Sequence, residues 1–275
     1  MASLRIALRN MPASARFGIA VIGLCALIAV LAPLIAPYGE RQIVGVEFSP
    51  WSFAHPLGTD DLGRDMLSRL IYGARNSIGV ALVTTGLAFL IGAAGGLTAG
   101  TAGGLVDRLL AFLCDIVMAV PSLITVLLLL TLFGASVLVL VSVIALVEST
   151  RVFRLARALA MGIVAQDYVE AARLRGEGFL RLVTREVLPN AMAPLTAEFG
   201  LRFCFVFLFI SALSFLGLGL QPPAADWGGM VRDNASLITF GDITPLLPAA
   251  AIALLTVSVN FVVDWQLHRS AGLKD

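Results

Sequence analysis

The chain has 275 residues, 59% of them hydrophobic and 13% charged, with a net charge of +1 and a mean hydropathy of +0.93. A soluble domain carries about a quarter charged residues, so this composition excludes a water-soluble protein and makes lipid the solvent. The near-neutral balance gives no electrostatic reason to expect nucleic acid or another polyanion as partner.

Six apolar runs reach the ~17–25 residues that a helix needs to cross a bilayer. They cover 17–37, 77–99, 109–132, 136–155, 194–220 and 245–263. The first exceeds the ~7–15 residues of a signal-peptide core, and Pro37 follows Ala36 where a cleavage site would stand, so it reads as an uncleaved span. Cys25, Cys114 and Cys204 each lie inside an apolar run, far apart in sequence, as free thiols would.

Arginine sets the orientation. Arg5, Arg9 and Arg16 precede the first run, and Arg108 follows the second. Arg151, Arg154, Arg157, Arg173, Arg175, Arg181 and Arg185 crowd the connection between the fourth and fifth. His268, Arg269 and Lys274 close the chain. A six-span threading puts all of these on one side, which the positive-inside rule makes cytoplasmic, together with both termini. Arg41, Arg64, Arg69 and Arg75 fall on the other side, in a loop shared with Glu40, Glu47, Asp60, Asp61 and Asp65. No loop is long enough for a soluble domain, which needs about 50 residues. The division expected is an N-terminal segment, 1–76, and a five-helix core, 77–275, with a cytoplasmic loop at 166–189.

Along that order, the loop after the first run reads HPLGTDDLGRDMLSRLIYGARNSI from His55. Thr59 is placed as an N-cap, with Asp60 and Asp61 at the positive end of a helix dipole. Leu62, Met66 and Leu70, with Leu67 and Ile71, follow at helical spacing, and Gly73 suits a stop. The spacing predicts an amphipathic helix on the outer face or on other spans. Gly92, Gly96, Gly100 and Gly104 then recur every fourth residue, a stripe that lets another helix approach closely. Pro121 interrupts the third run and predicts a bend, either a fit to the bundle or the lining of a moving pathway. Glu148, late in the fourth run, is placed in a pair with Arg151 near the cytoplasmic surface, because an unpaired carboxylate in lipid costs a few kcal/mol.

The loop at 166–189 differs in kind. Val169, Leu174, Phe179, Leu180, Leu182 and Val183 make two short apolar faces separated by Gly176 and Gly178, which predicts two small helices at an angle. Ala171 and Ala172 leave a smooth tip, and Glu170, Arg173, Arg175 and Arg181 a charged rim. Such a piece either docks into a partner's groove or rests on the headgroups. After the fifth run, SFLGLGLQPPAADWGGMV carries Gly217 and Gly219 at a helix end and Pro222 and Pro223 to forbid its continuation. Trp227 is placed at the lipid–water interface.

Several chemistries are excluded. Lys274 is the only lysine, so no G-x-x-x-x-G-K-[ST] phosphate loop exists. His55 and His268, the only histidines, fall on opposite sides of the membrane, which leaves no compact histidine metal site. No Ser–His–Asp arrangement has a locus.

Three segments in order resemble the ABC transporter permeases of dipeptide, oligopeptide and nickel importers, specifically the C-type subunit (DppC/OppC-like). His55, Pro56, Leu57, Gly58, Thr59, Asp60, Gly63, Arg64 and Asp65 look like its outer hallmark. Tyr168, Glu170, Ala171, Ala172, Arg173, Gly176, Leu188 and Pro189 look like its EAA coupling loop. Gly217, Gly219, Pro222, Pro223 and Trp227 follow its outer turn. The chain departs from the usual pattern at Leu174-Arg175, at Glu186, and at Glu148-Ser149, where a tryptophan–proline pair is common. The resemblance implies an all-α, multi-pass protein of the bacterial inner membrane with the type I importer permease fold and six transmembrane helices. It implies a homologous B-type permease, two cytoplasmic ATPases that use ATP and Mg, and an extracytoplasmic substrate-binding protein as partners. No cofactor, metal or catalytic residue is expected on this chain. The rival classes are a secondary transporter, which needs inverted repeats and polar mid-membrane groups, and a structural membrane subunit. The cargo is not encoded in these motifs.

Overall fold

The computed structural model describes residues 11–270; Arg5, Arg9 and Lys274 of the charge argument lie outside them. Among the described residues the chain is helical, and its only strand-like pairings are the isolated bridges Ile43–Arg64 and Thr59–Asp65. The helices are α1 (Ala13–Ile35), α2 (Met66–Ala102), α3 (Gly104–Met118), α4 (Ser122–Phe133) and α5 (Val137–Val164). They continue as α6 (Asp167–Leu174), α7 (Leu188–Phe215), α8 (Trp227–Asp233) and α9 (Leu246–Ser270).

Among the described residues four helices are long and apolar enough to cross a membrane: α1, α2, α9, and α7 with its lead-in from Phe179. A fifth span exists if α3 and α4 count as one, broken by 81°. That break falls at Pro121, where the ring lacks an N–H and clashes with the carbonyl one turn back, so the expected bend is present as a sharp corner. The fourth run is the exception. α5 has the length, at 28 residues, but Glu148, Arg151, Arg154 and Arg157 make it too charged for a simple apolar span. Glu148, Arg151 and Arg157 are paired, as described below.

A second expectation needs correction. The 55–78 segment contains no separate amphipathic helix. Helix α2 starts at Met66 and runs unbroken through Gly73 to Ala102. Gly73 is a packing glycine and not a stop, because a Cβ there would lie 2.6 Å from Cδ1 of Trp227.

Contacts divide the chain into two compact units: Met1–Leu82 with Ala135–Val137 and Phe203–Asp275, and Val83–Gly134 with Leu138–Arg202. In the first unit α1 lies along α9. Gly18 meets the carbonyl of Ser258, and Ala15 and Ala32 are buried. In the second unit α2 lies along α5. Gly92, Gly96 and Gly100 face the backbone of Ser149, Phe153 and Arg157, so three of the four expected stripe positions form the seam. Gly104 lies past the end of α2 in open space. Below the seam Leu97, Ala156, Ala160, Val187, Ala191 and Leu195 form a buried cluster that brings in the start of α7.

The seam has a direct consequence. A Cβ at Gly96 would sit 2.8 Å from the Cβ of Ala156 and from the Arg157 nitrogen, both in a helix that cannot retreat. Gly96→Leu should therefore lower the thermal unfolding midpoint in detergent by the equivalent of about 1–3 kcal/mol or more. Gly86→Leu, at a helical glycine with nothing within 4 Å, should leave it unchanged.

Candidate functional site

The 55–78 segment folds around Asp60. Its Oδ1 accepts from the backbone N–H groups of Leu62 (3.0 Å) and Arg64 (2.8 Å). Its Oδ2 takes Arg64 Nε at 2.7 Å and faces Arg69 Nε at 3.1 Å. All three side chains are buried, so two guanidiniums share one carboxylate. Asp61 lies 3.5 Å from Arg64 Nη2. Burial, and then the neighbouring charge of Asp60, push the Asp61 carboxyl above the usual range. Arg64 and Arg69, two exceptions to the expected arginine asymmetry, are thus counter-ions inside the fold and not free surface charges.

Thr59 does not cap a helix. Its hydroxyl donates to the carbonyl of Val46 (2.6 Å) and accepts from Ser49 N–H (2.8 Å), which ties two turns of the loop together. The cap is Asp65, whose Oδ2 accepts from the backbone and hydroxyl of Ser68 at 2.8 and 2.7 Å. Its other oxygen lies 3.2 Å from His55 Nδ1. The carbonyl of Gly58 accepts from Met66 N–H (3.1 Å). A Cβ on Gly58 or Gly63 would collide with the carbonyls of Ser49 or Gly45. Pro56 is exposed and Leu57 half-buried.

The turn after α7 locks onto this segment within the same unit. Gly217 and Leu218 donate to the carbonyls of Ser214 (3.0 Å) and Leu213 (2.8 Å), closing the helix. Gly219 and the cis-linked Pro222–Pro223 pair carry the chain to α8. Asp226 caps α8 by accepting from Gly229 N–H (2.9 Å), and it also accepts from the Ser77 hydroxyl (2.8 Å). Trp227 is buried and not interfacial. Its Nε1 donates to the carbonyl of Leu70 (2.9 Å), and its ring meets Phe207 edge to face and covers Gly73. Glu40 completes the lock by accepting from Asn76 Nδ2 (2.7 Å) and from Ala225 N–H (2.6 Å). Sequence reasoning missed Glu40, Asn76, Ser77 and Asp226 as a set. Asp226 carried a signal, an aspartate directly before an α-helical start. Glu40 carried none, since its partners lie 36 and 185 residues away.

In the second unit the 166–189 loop begins with α6. Gly176, at φ +81°, closes it, a conformation that costs a side-chain-bearing residue energy. Gly176 and Glu177 donate to the carbonyls of Arg173 (2.9 Å) and Ala172 (3.2 Å). The expected second small helix is not separate. Phe179–Arg181 and the π-helical Leu182–Val187 run through Leu188 and Pro189 into α7. Val169, Ala172 and Leu182 bury themselves against Ile163 and Val164 at the end of α5. Ala172 therefore belongs to the anchored side and only Ala171 to the outward one, because neighbours in a helix point about 100° apart. Arg173 Nη2 donates to the carbonyl of Thr101 at 3.1 Å. Arg175 pairs with Glu177, and Glu170 is exposed. Tyr168, Leu174, Phe179 and Leu180 face away from the chain, Leu174 at 83% and Leu180 at 77% exposure.

The charges of α5 lie in this unit too. Glu148 is buried, and its nearest partner is Arg202 on α7, with Oε2 2.8 Å from Nη1. Arg151, the partner expected from sequence, is more distant at 3.8 Å. Arg202 reaches the carboxylate from the facing helix and takes the closer position. Glu198 holds the other edge of Arg202 at 2.5 Å. Arg157 grips Asp107 of α3 with two prongs, Nη2 to Oδ2 at 2.6 Å and Nε to Oδ1. These pairs let a charged helix stand among apolar ones.

Residues 91–270 match the family of the binding-protein-dependent transport system inner membrane component. The chain belongs to that permease family. Among its relatives, the di/tripeptide transport system permease protein DppC of Pseudomonas aeruginosa is 37% identical, over 90% of this chain and 82% of its own length. The dipeptide permease DppC of Haemophilus influenzae is 32% identical over 95% and 88%. The peptide permease SapC of Escherichia coli is 36% identical over 89% and 87%. The likeness to C-type subunits seen in the three motifs is thus borne out. A solved structure described as an amino acid ABC transporter with histidines superposes with a TM-score of 0.53 at 19% identity, over 73% of this chain and 94% of that one, and shares the fold. The family match takes in the charge pairs, the 166–189 loop and the turn after α7. In this permease the Asp60 cluster precedes the matched region, but an alignment over 90% of the chain includes it.

Asp60→Ala should be severe in this permease, because it leaves two buried guanidiniums without their shared counter-charge, at a cost of about 3–5 kcal/mol. Loss of folded protein in size-exclusion and thermal-unfolding assays is the expected outcome. Asp61→Ala, at a half-exposed carboxylate on the rim, should cost about 1 kcal/mol or less.

Proposed function

We propose that this chain is the C-type permease subunit of an ATP-driven bacterial importer in the inner membrane and that residues 166–189 dock one of its ATPases. The observation that carries this reading is the two-sidedness of the loop. Its inner face is buried against the end of α5, and its outer face presents Tyr168, Leu174, Phe179 and Leu180 uncovered. Apolar side chains held outward on an anchored helix are the usual core of a protein interface.

Length favours docking over resting on headgroups. With 28 residues, α5 is about 42 Å long at 1.5 Å per residue, against a hydrocarbon core of about 30 Å. If its first residue stands at the outer surface, α6 begins well clear of the lipid chains. The reading completes the topology as six spans with both termini cytoplasmic, α5 crossing by virtue of its paired charges. It also sets the division of labour. A homologous B-type permease forms the other half of the pathway, two ATPases bind and hydrolyse ATP with Mg, and an extracytoplasmic binding protein delivers the solute. This chain hydrolyses nothing and holds no cofactor. The names of its relatives favour peptides or related small solutes as cargo. Nucleotide binding moves the spans because the ATPases hold the loops differently in their open and closed states.

Leu174→Glu and Leu180→Glu place charges on the outward face without touching the anchor. Both variants should insert and pair with the partner permease. Each should weaken ATPase recruitment by about 2 kcal/mol, roughly 30-fold, in co-purification from detergent. Normal recruitment and normal ATP-dependent uptake in reconstituted vesicles would show that the loop merely lies on the membrane.

A further inference from the structure

We propose that Arg173 is a positioning residue that transmits movement of α6 to a hinge between α2 and α3, so that the loop drives α3 as well as α7. The proposal rests on the reading of 166–189 as the ATPase-docking segment, and it adds a second output to it.

The carbonyls in the last turn of a helix have no partner within the helix. Arg173 takes one of them, Thr101, in the last turn of α2. The next two residues past the helix end, Gly103 and Gly104, have φ of +65° and +58°, and nothing lies within 4 Å of where their side chains would stand. The junction is therefore unhindered on both sides. On one side of it α2 is fixed, because Gly92, Gly96 and Gly100 seat it directly on the backbone of α5. On the other side α3 has no buried residue at all. The polar ties from α3 to α5 are the Asp107–Arg157 pair and, at the far end, Arg154 Nη1 3.9 Å from Met118 Sδ.

The arrangement is a lever. A fixed helix ends in two unhindered glycines, a lightly held helix follows, and the guanidinium of α6 grips the last turn before the hinge. Displacing α6 displaces the Thr101 carbonyl and with it the orientation of the Gly103 and Gly104 peptides. Helix α3 then swings about the Asp107–Arg157 pair. A hydrogen bond from a charged donor biases two such arrangements by a factor on the order of 10 to 100.

The test measures the swing. Spin labels at Phe112 on α3 and Leu146 on α5, both exposed, report their separation by pulsed electron resonance, with Cys25, Cys114 and Cys204 replaced by alanine. The full complex, with the ATPases that co-purify, is measured without nucleotide and after trapping with ATP and vanadate. The unsubstituted complex should show a shift of a few ångströms, which Arg173→Ala should abolish and Arg173→Lys partly restore. Arg173→Ala should also lower solute taken up per ATP hydrolysed by about tenfold or more. Gly103→Ala with Gly104→Ala, which stiffens the hinge away from the docking face, should lose the shift at normal ATPase recruitment. The proposal is overturned if the unsubstituted complex shows no shift, if Arg173→Ala moves like the parent, or if Arg173→Ala fails to recruit the ATPases, which would make it a docking residue. Failure of the parent chain to recruit ATPases would instead overturn the docking reading itself.

Discussion

The burial of Val169, Ala172 and Leu182 against Ile163 and Val164 is the contact on which the functional reading depends. A loop between two spans can convey a displacement only if it is fixed to the spans, and it can receive one only if part of its surface is left for a partner. These residues meet the first condition. The continuous run from Phe179 through the π-helical turn into α7 strengthens it, because no flexible joint separates the loop from the next long helix. Leu174 and Leu180, held outward, meet the second. Sequence alone left docking and headgroup contact as equal readings of the same residues. The difference lies in which side chains turn inward.

The second constraint is charge in an apolar setting. Eliminating every charged residue would have made α5 an easy span, yet it carries four. Glu148 shares Arg202 with Glu198, and Arg157 closes on Asp107, so three of the four charged groups of α5, with Arg151 beside Glu148, have an opposite charge within reach. The same logic holds the 55–78 segment, where Asp60 serves both Arg64 and Arg69. Such pairs add little net stability over apolar packing, but they are costly to break. They therefore fix partners and register. For α5 and α7, which flank the 166–189 loop, a fixed register is what a rigid transmission needs.

Much of this was legible in the sequence, and the failures share a cause. The apolar runs, the glycine seam, the corner at Pro121 and the closure of α7 near Gly217 follow from periodicity and from the backbone chemistry of Gly and Pro, both local signals. The errors concern partners distant in sequence. Thr59 looked like a cap because it precedes two aspartates, but its hydroxyl is taken by Val46 and Ser49 across a loop. Trp227 looked interfacial because tryptophans commonly are, whereas Gly73, 154 positions earlier, opens a slot for its ring. Glu148 does pair with Arg151, at 3.8 Å, but its closer partner, Arg202, comes from the facing helix and was not legible. In Ala171-Ala172 the residue types match and only the helical phase separates the outward from the anchored residue.

One measurement addresses the claim that the loop's apolar face belongs to a water-exposed protein interface. A spin label at Leu174, in the permease pair reconstituted in nanodiscs, can be relaxed by a water-soluble nickel chelate or by oxygen concentrated in the lipid. The account expects relaxation dominated by the chelate before the ATPases are added, and loss of that accessibility once they bind. Relaxation dominated by oxygen and indifferent to the ATPases would place this face in the bilayer and contradict the account.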